Sequence, residues 1–356
     1  MLNPITYSEK VVSDFLRYQL TTYPLADQRL YEQLRALLSL EHTRKTPLLR
    51  GPYVSLSRSF RAGKKVTELI AEKLLHPHIR ELSPYPNVYG HQETAFREIA
   101  KKKTTLVSTG TGSGKTECFL YPIISHCLKL RDEGAPEGIS AVLVYPMNAL
   151  AEDQLGRLRS LLTGSGVTFG MYVGKTPEKA ADVAGHRLDA RASRGDYEAA
   201  VRRMREEKRH QPVLPPEERA SREEMRERGK RPRILLTNVK QLELLLTRQR
   251  DVELFDGARL EFLVFDEAHT FSGAAGAETA CLIRRLRSFC GKTPEQTVCI
   301  ATSATIADPE RGAEAGREFA SRFFGVREEN VALVGEEYEK DVWAEKRAVS
   351  ERDRET

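Results

Sequence analysis

A glycine-rich stretch, STGTGSGKT at positions 108–116, carries the first residues that could perform chemistry. Three of its glycines allow backbone N–H groups to turn inward around phosphate oxygens, and these are Gly110, Gly112 and Gly114. A helical pattern begins at Lys115, so the positive end of a helix dipole faces the same anion. The stretch predicts a phosphate loop in which Lys115 reaches the β- and γ-phosphates of ATP and the Thr116 hydroxyl binds Mg²⁺. The other loop residues expected at the nucleotide are Thr109, Thr111 and Ser113.

Two adjacent carboxylates follow an apolar run in LEFLVFDEAHTF and supply the second half of the chemistry. Asp266 can hold Mg²⁺ through water, and Glu267 can orient and deprotonate an attacking water. Neighbouring residues of an extended chain face different directions, which allows the two acids to divide these tasks. His269 lies within reach of the motif that follows in the sequence, TSAT (302–305), and we expect it to couple hydrolysis to movement. Together with the phosphate loop, the pattern predicts an ATPase.

Short apolar runs separated by longer helical patterns must position these residues. From residue 104 onwards the runs are TTLVS (104–108), AVLVY (141–145), VTFGMYV (167–173), RILLT (233–237), LEFLVF (260–265) and TVCIAT (297–302). Alternation of this kind predicts an α/β fold with a parallel sheet and helices on both faces. Ligands of such sheets bind beyond the carboxyl ends of the strands, where the glycine-rich loop and the acidic pair both fall.

The chain before this region has helical patterns. Two helices are predicted from their apolar positions, with Leu30, Leu34, Leu37 and Leu38 in the first and Val66, Leu69, Ile70 and Leu74 in the second. Asp27 is the predicted N-cap of the first helix. The proline-rich SPYPNVYG then predicts a boundary. We therefore expect a helical N-terminal extension over 1–85, a nucleotide-binding domain over 86–330 and the start of a linker over 331–356.

A charged segment at 176–232 interrupts the alternation. It contains no strand-like run and is rich in Arg and Glu, as in RRMREEKRH and EERASREEMRERGKR. Ordinary connections take about two to six residues, so we expect an insertion with one or two exposed charged helices. Its charges favour a solvated face and leave open a contact with nucleic acid or another partner.

Six motifs occur in the order typical of superfamily 2 helicases of the DEAD/DEAH-box type. They are Gln92 in YGHQ, STGTGSGKT, YPMNALAEDQ (145–154), LLTNVKQL (235–242), DEAH (266–269) and TSAT (302–305). From about residue 85 to 325 the chain resembles the N-terminal RecA-like domain of this family. Thr109 stands where the strict phosphate-loop pattern has its first glycine, a change that superfamily 2 proteins commonly tolerate. The run DEAHTFSGAAGAETACLIRRL is similar to the large DNA-repair and phage-defence helicases of the Lhr and MrfA type.

The resemblance implies roles for residues outside the two chemical motifs. Gln92 would read the adenine edge, with Tyr89 packed nearby. Ser303 and Thr305 would link the nucleotide site to the nucleic-acid strand. The residues implied along the nucleic-acid backbone are Pro146, Asn148, Leu150, Thr237 and Asn238.

The resemblance also implies a second RecA-like domain, whose arginines stabilise charge on the transferring phosphoryl group. No QxxGRxGR-like stretch follows residue 305, so we expect a fragment of a longer protein or a partner chain with that domain. The first hypothesis is the N-terminal motor half of an ATP-driven DNA helicase or translocase in DNA repair or phage defence. Intact Lys115, Asp266 and Glu267 favour this enzyme over an adaptor that binds ATP and nucleic acid without unwinding. An RNA helicase of the same superfamily stays open, and only the MrfA-like run favours DNA.

The composition sets the broad class of protein. The 356 residues are 40% apolar and 30% charged, which predicts a soluble protein with a substantial core. No window approaches the about 18 continuous apolar residues of a membrane helix, and the N-terminus lacks a signal-peptide pattern, so we expect a cytoplasmic protein without a membrane partner. The five cysteines form no CxxC pair and predict buried reduced thiols. The net charge of +5 leans only mildly towards polyanionic partners.

Overall fold

The computed structural model describes residues 4–22, 25–39, 58–110, 112–209, 211–304 and 312–340. The chain divides into two compact units, residues 1–58 and 59–356. The first unit contains helices α1 (Pro4–Thr22) and α2 (Gln28–Ser39). The Asp27 carboxylate accepts the N–H groups of Arg29 and Leu30 at 2.8 and 3.1 Å, which confirms it as the N-cap of α2.

The second unit alternates strands and helices. It begins with β1 (Ala62–Lys65), α3 (Val66–Ala71), α4 (Ile79–Leu82), β2 (Asn87–Tyr89), α5 (Gly90–Ala100), β3 (Thr104–Ser108), α6 (Lys115–Asp132), β4 (Ala141–Tyr145), α7 (Asn148–Leu162) and β5 (Phe169–Met171). It continues with β6 (His186–Arg187), α8 (Arg194–Glu206), β7 (Val213–Leu214), β8 (Glu218–Arg219), α9 (Arg222–Arg226), β9 (Ile234–Asn238), α10 (Val239–Thr247) and α11 (Gln249–Val252). The last elements are β10 (Phe262–Phe265), α12 (Gly273–Phe289), β11 (Val298–Ser303), α13 (Gly312–Phe324) and β12 (Val331–Gly335).

One eight-stranded sheet organises this unit, with the strand order β12-β3-β11-β10-β4-β9-β5-β8. Every neighbouring pair is parallel. Alternate residues of β4 enter different apolar clusters: Leu143 packs with α5, α6 and α7, whereas Val142 and Val144 pack with α10, α12 and α13. The predicted parallel sheet with helices on both faces is therefore confirmed, and all six predicted runs supply its strands.

Because the strands are parallel, residues far apart in sequence meet at one edge of the sheet. Phe265 lies in register with Val144 of β4 and with Ala301 of β11. Ser303 lies in register with Ser108, the last residue before the glycine-rich loop. The loop and the acidic pair thus share the carboxyl edge, as predicted.

The charged segment 176–232 differs from the prediction that it lacks strands. Three two-residue strands, β6, β7 and β8, form within it, and β8 pairs with β5 in the main sheet. The predicted helices are present as α8 and α9. One face of α8 is buried rather than exposed, since Tyr197, Ala200 and Met204 pack against Val213. Strands of two residues leave no periodic pattern in a sequence, so only packing against the sheet edge defines them.

The structure also places elements outside the predicted domain limits in the second unit. Strand β12, in the segment expected to begin a linker, pairs along its length with β3. Before residue 86, β1 pairs with β2, and Val66 and Leu69 are buried in the same cluster as Phe96 of α5. The limits at 85 and 330 stay predictions, whereas the compact unit extends beyond both.

Two expectations from composition have structural counterparts. Cys118, Cys127 and Cys299 are buried free thiols, as predicted, but Cys281 is exposed on α12. Within the described ranges, every helix is too short or too polar to cross a membrane.

A buried ion pair fastens the insertion to α7, and it predicts a large stability effect. The Glu218 carboxylate accepts two hydrogen bonds of 2.6 Å from the Arg159 guanidinium, and Glu218 is only 3% exposed. Glu218→Ala should lower the free energy of unfolding by about 3 kcal/mol, because the Arg159 guanidinium, only 16% exposed, loses its partner. Urea denaturation measures this loss.

Two variants serve as controls for that measurement. The double variant Arg159→Met/Glu218→Leu leaves no unpaired charge and should lose less stability than Glu218→Ala alone. Glu198→Ala removes a partner of Arg194 at the surface and should cost at most about 1 kcal/mol. A single variant no less stable than the double one would show that the pair does not fasten the insertion.

Candidate functional site

The glycine-rich loop has the predicted strand–loop–helix geometry. It connects β3 to α6, and two of its glycines have left-handed backbone conformations. Gly112 has φ +80° and Gly114, the N-cap of α6, has φ +76°, angles that residues with a Cβ rarely adopt. Open space surrounds Gly112 on the side where a Cβ would stand. Thr111, also predicted at the nucleotide, lies outside the described residues.

Hydrogen bonds from neighbouring elements brace this loop. The Thr109 hydroxyl lies 2.7 Å from the Ser113 hydroxyl, and the Thr109 N–H donates to the Ser303 carbonyl at 3.1 Å. His91, which the sequence analysis did not single out, is fully buried, with its Nε2 2.8 Å from the Ser113 carbonyl oxygen. Burial lowers the pKa of His91, so the ring is neutral and Nε2–H donates to that carbonyl. Its only sequence signal is its place beside Gln92 in YGHQ.

Gln92 lies beside the loop, with both ends of its amide engaged. Its Oε1 accepts the Tyr89 N–H at 2.8 Å, and its Nε2 donates to the Gly114 carbonyl at 3.0 Å. The predicted neighbours Gln92 and Tyr89 therefore do lie together. In this arrangement the Gln92 amide links the start of α5 to the start of α6. That Gln92 recognises the adenine edge of the nucleotide stays a prediction.

The acidic pair faces the loop across one pocket. This pocket has a volume of 790 Å³, and its lining includes Gln92, Gly112, Gly114, Lys115, Thr116, Asp266 and Glu267. The Lys115 ammonium donates to Glu267 Oε1 at 3.3 Å. Glu267 has φ +51°, so the chain turns sharply at this residue. The expectation that the two acids lie on an extended chain is therefore wrong. This turn separates the directions of the two carboxylates.

Thr302 is a site residue that sequence reasoning missed. Its buried hydroxyl donates to Asp266 Oδ1 and accepts the Glu267 N–H at 3.1 Å. One hydroxyl therefore fixes both adjacent acids. Burial raises the pKa of Asp266, and the Thr302 hydrogen bond opposes that shift by stabilising the carboxylate. The available signal was its position in TSAT, directly before Ser303.

A chain of contacts continues from Glu267 to the end of β11. His269 Nδ1 lies 3.3 Å from Glu267 Oε2 and 3.3 Å from the Ser303 hydroxyl oxygen. The structure thus brings Glu267, His269 and Ser303 together as the sequence predicts. Thr305, the other predicted coupling residue, lies outside the described residues.

A second, larger depression adjoins this edge of the sheet. This groove has a volume of 1340 Å³, and its lining includes Pro146, Asn148 and Asn238 from the predicted nucleic-acid set. Asn238 Nδ2 donates to Asn148 Oδ1 at 2.7 Å, while Asn238 Oδ1 accepts the Gln241 N–H at 2.8 Å as the N-cap of α10. The N-termini of α7 and α10 therefore meet at this groove, and their dipoles favour an anion there.

Two of the predicted nucleic-acid residues are placed elsewhere. The Thr237 side chain is fully buried, and its hydroxyl donates to the Tyr172 carbonyl at 2.8 Å. Leu150 lines the 790 Å³ pocket with Lys115 and Glu267. Thr237 and Leu150 lie within the predicted motifs in sequence. The pleat of β9 and the rotation of α7 nevertheless turn these two side chains away from the groove.

The pocket fits a magnesium-bound nucleoside triphosphate. Hard oxygen donors, which Mg²⁺ prefers, come from the Thr116 hydroxyl and the Asp266 carboxylate. Partial burial raises the pKa of the Asp266 carboxyl, and a nearby cation would offset this shift by stabilising the carboxylate. The left-handed loop glycines and the α6 N-terminus suit phosphate oxygens. Fold and site together define a nucleotide-binding domain of the phosphate-loop class.

The chain belongs to the DEAD/DEAH box helicase family, which matches residues 89–190 and 197–311. It is 30% identical over 383 residues to Druantia protein DruE of Escherichia coli, covering 85% of this chain and 20% of DruE. It is 27% identical over 253 residues to the uncharacterized ATP-dependent helicase YprA of Bacillus subtilis, covering 70% of this chain and 27% of YprA. The chain thus spans only 20–27% of the length of these two relatives.

Solved structures show the same fold. The DUF1998 helicase MrfA bound to DNA and AMPPNP superposes with a TM-score of 0.50 at 25% identity, covering 78% of this chain and 30% of MrfA. The DEAD-box helicase Mss116 bound to ssRNA and UDP-BeF superposes with a TM-score of 0.51 at 17% identity, covering 79% of this chain and 47% of Mss116. The predicted RecA-like fold is confirmed.

The hydroxyl of Thr302 predicts a defect in metal-dependent turnover. Thr302→Val keeps the side-chain shape but removes the donor to Asp266 and the acceptor for the Glu267 N–H. We expect ATP turnover at limiting Mg²⁺ to fall roughly tenfold to a hundredfold, the usual range for a hydrogen bond to a charged group. Titration of turnover against Mg²⁺ checks this, and Thr302→Ser, which retains the hydroxyl, should restore most activity. Normal turnover in Thr302→Val together with a loss in Thr302→Ser would mean that packing of the methyl group, not the hydroxyl, matters.

Proposed function

We propose that this chain is the nucleotide-binding motor half of an ATP-driven DNA helicase or translocase. The observation that carries the proposal is the contact chain Lys115–Glu267–His269–Ser303, in which each link measures 3.3 Å. It joins the phosphate loop, the candidate base and the end of β11 without a gap. An adaptor that only binds ATP would have no use for a carboxylate held in this position.

The residues of the pocket divide the hydrolysis of ATP among them. Bound ATP with Mg²⁺ supplies the phosphoryl group and the cation that neutralises its charge. Thr116 and Asp266 would hold the cation. Lys115 has three N–H donors, so it can donate to phosphate oxygens while it stays near Glu267. Glu267 would accept the proton of the attacking water.

Helix α7 supports coupling between hydrolysis and nucleic acid. Its first residue, Asn148, lines the groove, whereas Leu150, Gln154 and Arg157 further along line the nucleotide pocket. One rigid helix therefore forms part of both walls. A nucleic-acid strand that displaces the N-terminus of α7 would also change the nucleotide pocket. Such coupling is the physical basis of a nucleic-acid-dependent ATPase.

DNA is the proposed substrate because MrfA, at 25% identity, has been solved with DNA and AMPPNP. RNA is the alternative, and the relatives include the ATP-dependent RNA helicase has1 of Emericella nidulans, 32% identical over 128 residues. The proposal includes a second RecA-like domain, in the same protein or on a partner chain, and a cytoplasmic location. The proposed setting, DNA repair or phage defence, rests on the run DEAHTFSGAAGAETACLIRRL.

The role of Glu267 as the base predicts separation of binding from hydrolysis. Glu267→Gln should bind ATP and Mg²⁺ close to the wild-type affinity, yet turn ATP over at least about a hundredfold more slowly, because an amide cannot accept the proton. Calorimetric titration measures the binding, and DNA-stimulated phosphate release by the full-length protein, with the second RecA-like domain, measures turnover.

Lys115→Ala provides the contrast, since it should lose ATP binding itself while the fold survives. Unchanged DNA-stimulated turnover in Glu267→Gln would remove Glu267 from the proposed role. Undiminished binding in Lys115→Ala would contradict the assignment of the phosphate loop.

The groove at the N-termini of α7 and α10 predicts a loss of strand binding in Asn148→Ala. The amide removed there can contact phosphate oxygens, so single-stranded DNA of any sequence should bind about three- to tenfold more weakly, the effect of one hydrogen bond. Fluorescence anisotropy with DNA and RNA of equal sequence measures this and tests the preference for DNA.

Asn330→Ala, beside β12 and away from the groove, is the matched control and should bind DNA as the wild type does. If Asn148→Ala binds both strands as the wild type does, the groove is not the nucleic-acid site. Preferential binding of the RNA strand would favour the RNA alternative.

A further inference from the structure

The chain that leaves the sheet after β12 folds back onto the start of the second unit. We call residues Glu336–Glu339 the exit segment. Its backbone forms an antiparallel bridge between Tyr338 and Phe60. On either side of this bridge, the Arg61 N–H donates to the Glu337 carbonyl at 2.7 Å and the Glu339 N–H donates to the Ser59 carbonyl at 3.0 Å. The exit segment is therefore fastened by ordinary backbone hydrogen bonds.

A side chain of the exit segment reaches the phosphate loop directly. One oxygen of the Glu336 carboxylate accepts the N–H of Gly110, the second residue of the loop after β3. The other oxygen accepts the Tyr338 hydroxyl. A Cβ at Gly110 would stand 2.9 Å from Glu336 Oε1, so the loop and the carboxylate are in close contact.

Aromatic rings connect the exit segment to the same loop by a second route. The Tyr338 ring stacks on Phe60, with centroids 5.4 Å apart and planes at 14°. Phe60 meets the ring of His91 at 5.4 Å, and His91 Nε2 lies 2.8 Å from the Ser113 carbonyl oxygen. The exit segment therefore reaches both ends of the phosphate loop. It contacts Gly110 directly through Glu336, and it reaches Ser113 through the rings of Phe60 and His91.

The charge of Glu336 conflicts with the ligand of the loop. Its neighbour Glu337 pairs with Arg61, but among the described residues no cation forms a salt bridge with Glu336. A negative charge on an anion-binding loop opposes the approach of a triphosphate, because both anions draw on the same set of backbone N–H groups. Binding of one must then weaken binding of the other, and this linkage is reciprocal.

We propose that the exit segment is a nucleotide-sensitive latch, in which Glu336 holds the empty phosphate loop and ATP weakens that hold. The proposal rests on the proposed function, since it requires ATP at this loop. Glu336 acts as a positioning residue and touches no reacting atom. Its consequence is that the occupancy of the nucleotide pocket controls how firmly the chain beyond β12 is attached to this domain.

The first test removes one charge and keeps the shape. Glu336→Gln retains an acceptor for the Gly110 N–H, so the loop stays braced while the repulsion disappears. ATP should bind roughly fivefold or more tightly to this variant, the lower range of measured couplings. The gain should shrink as salt is raised to about 1 M, where the screening length falls to about 3 Å. Binding is measured by calorimetry with Mg²⁺ and AMPPNP.

Glu339→Gln is the matched control, because it removes the same charge from the same segment without contact with the phosphate loop. It should bind AMPPNP as the wild type does. Equal affinities in Glu336→Gln and the wild type, or equal gains in Glu336→Gln and Glu339→Gln, would overturn the latch. Absence of AMPPNP binding in the wild type would overturn the proposed function as well.

The second test observes the attachment itself by hydrogen–deuterium exchange. The amides of Arg61 and Glu339 report the bridge, because both donate across it. With AMPPNP and Mg²⁺ they should exchange faster, while the buried amide of Leu106 in β3 should not change. In Glu336→Gln the nucleotide should have less effect on the two reporters. Slower or unchanged exchange of Arg61 and Glu339 in the nucleotide-bound wild type would contradict the proposal.

Discussion

The curvature of the phosphate loop is the constraint on which the rest of this structure depends. Backbone N–H groups can surround an anion only if the chain is held in left-handed turns, which Gly112 and Gly114 permit. Glycine lowers the strain but does not hold the shape, so neighbouring elements must do so. α5 contributes His91 and Gln92, β11 contributes the Ser303 carbonyl, and the segment after β12 contributes Glu336. Elements from both ends of the second unit therefore converge on one loop.

The parallel sheet converts this local constraint into an extended site. Its carboxyl edge brings β3, β10, β11, β4 and β9 side by side, and each strand ends in a motif. The acids at the end of β10 meet Lys115, while the N-termini of α7 and α10 form the groove one or two strands away. Because α7 borders both depressions, a change in one can reach the other through packing rather than through a flexible hinge.

Buried charge is handled in two different ways in this domain. Between α7 and the insertion, Arg159 and Glu218 neutralise each other with two short hydrogen bonds, and this pair stabilises the fold away from the candidate site. At the pocket, the half-buried Asp266 accepts a hydrogen bond from the Thr302 hydroxyl, and its pKa is raised. A carboxylate left partly uncompensated in this way is suited to a cation that arrives with the nucleotide. The contrast separates an ion pair that stabilises the fold from an acid that is available as a candidate metal ligand.

The sequence by itself determined the strand–helix alternation, the phosphate loop and the acidic pair, because each depends on local periodicity or on glycine and charge at fixed spacing. It also determined that the phosphate loop and the acidic pair lie at one edge of the sheet, since parallel strands end there, whereas the contact of Lys115 with Glu267 depends on the strand order that the fold supplies. Only the tertiary structure decided the roles of Thr302, His91 and Glu336, whose contacts lie 36, 22 and 226 residues away in sequence. It alone also buried Thr237, placed Leu150 in the lining of the 790 Å³ pocket and added two-residue strands to the insertion. Side-chain direction and sheet-edge pairing arise from packing between distant segments, which no local pattern records.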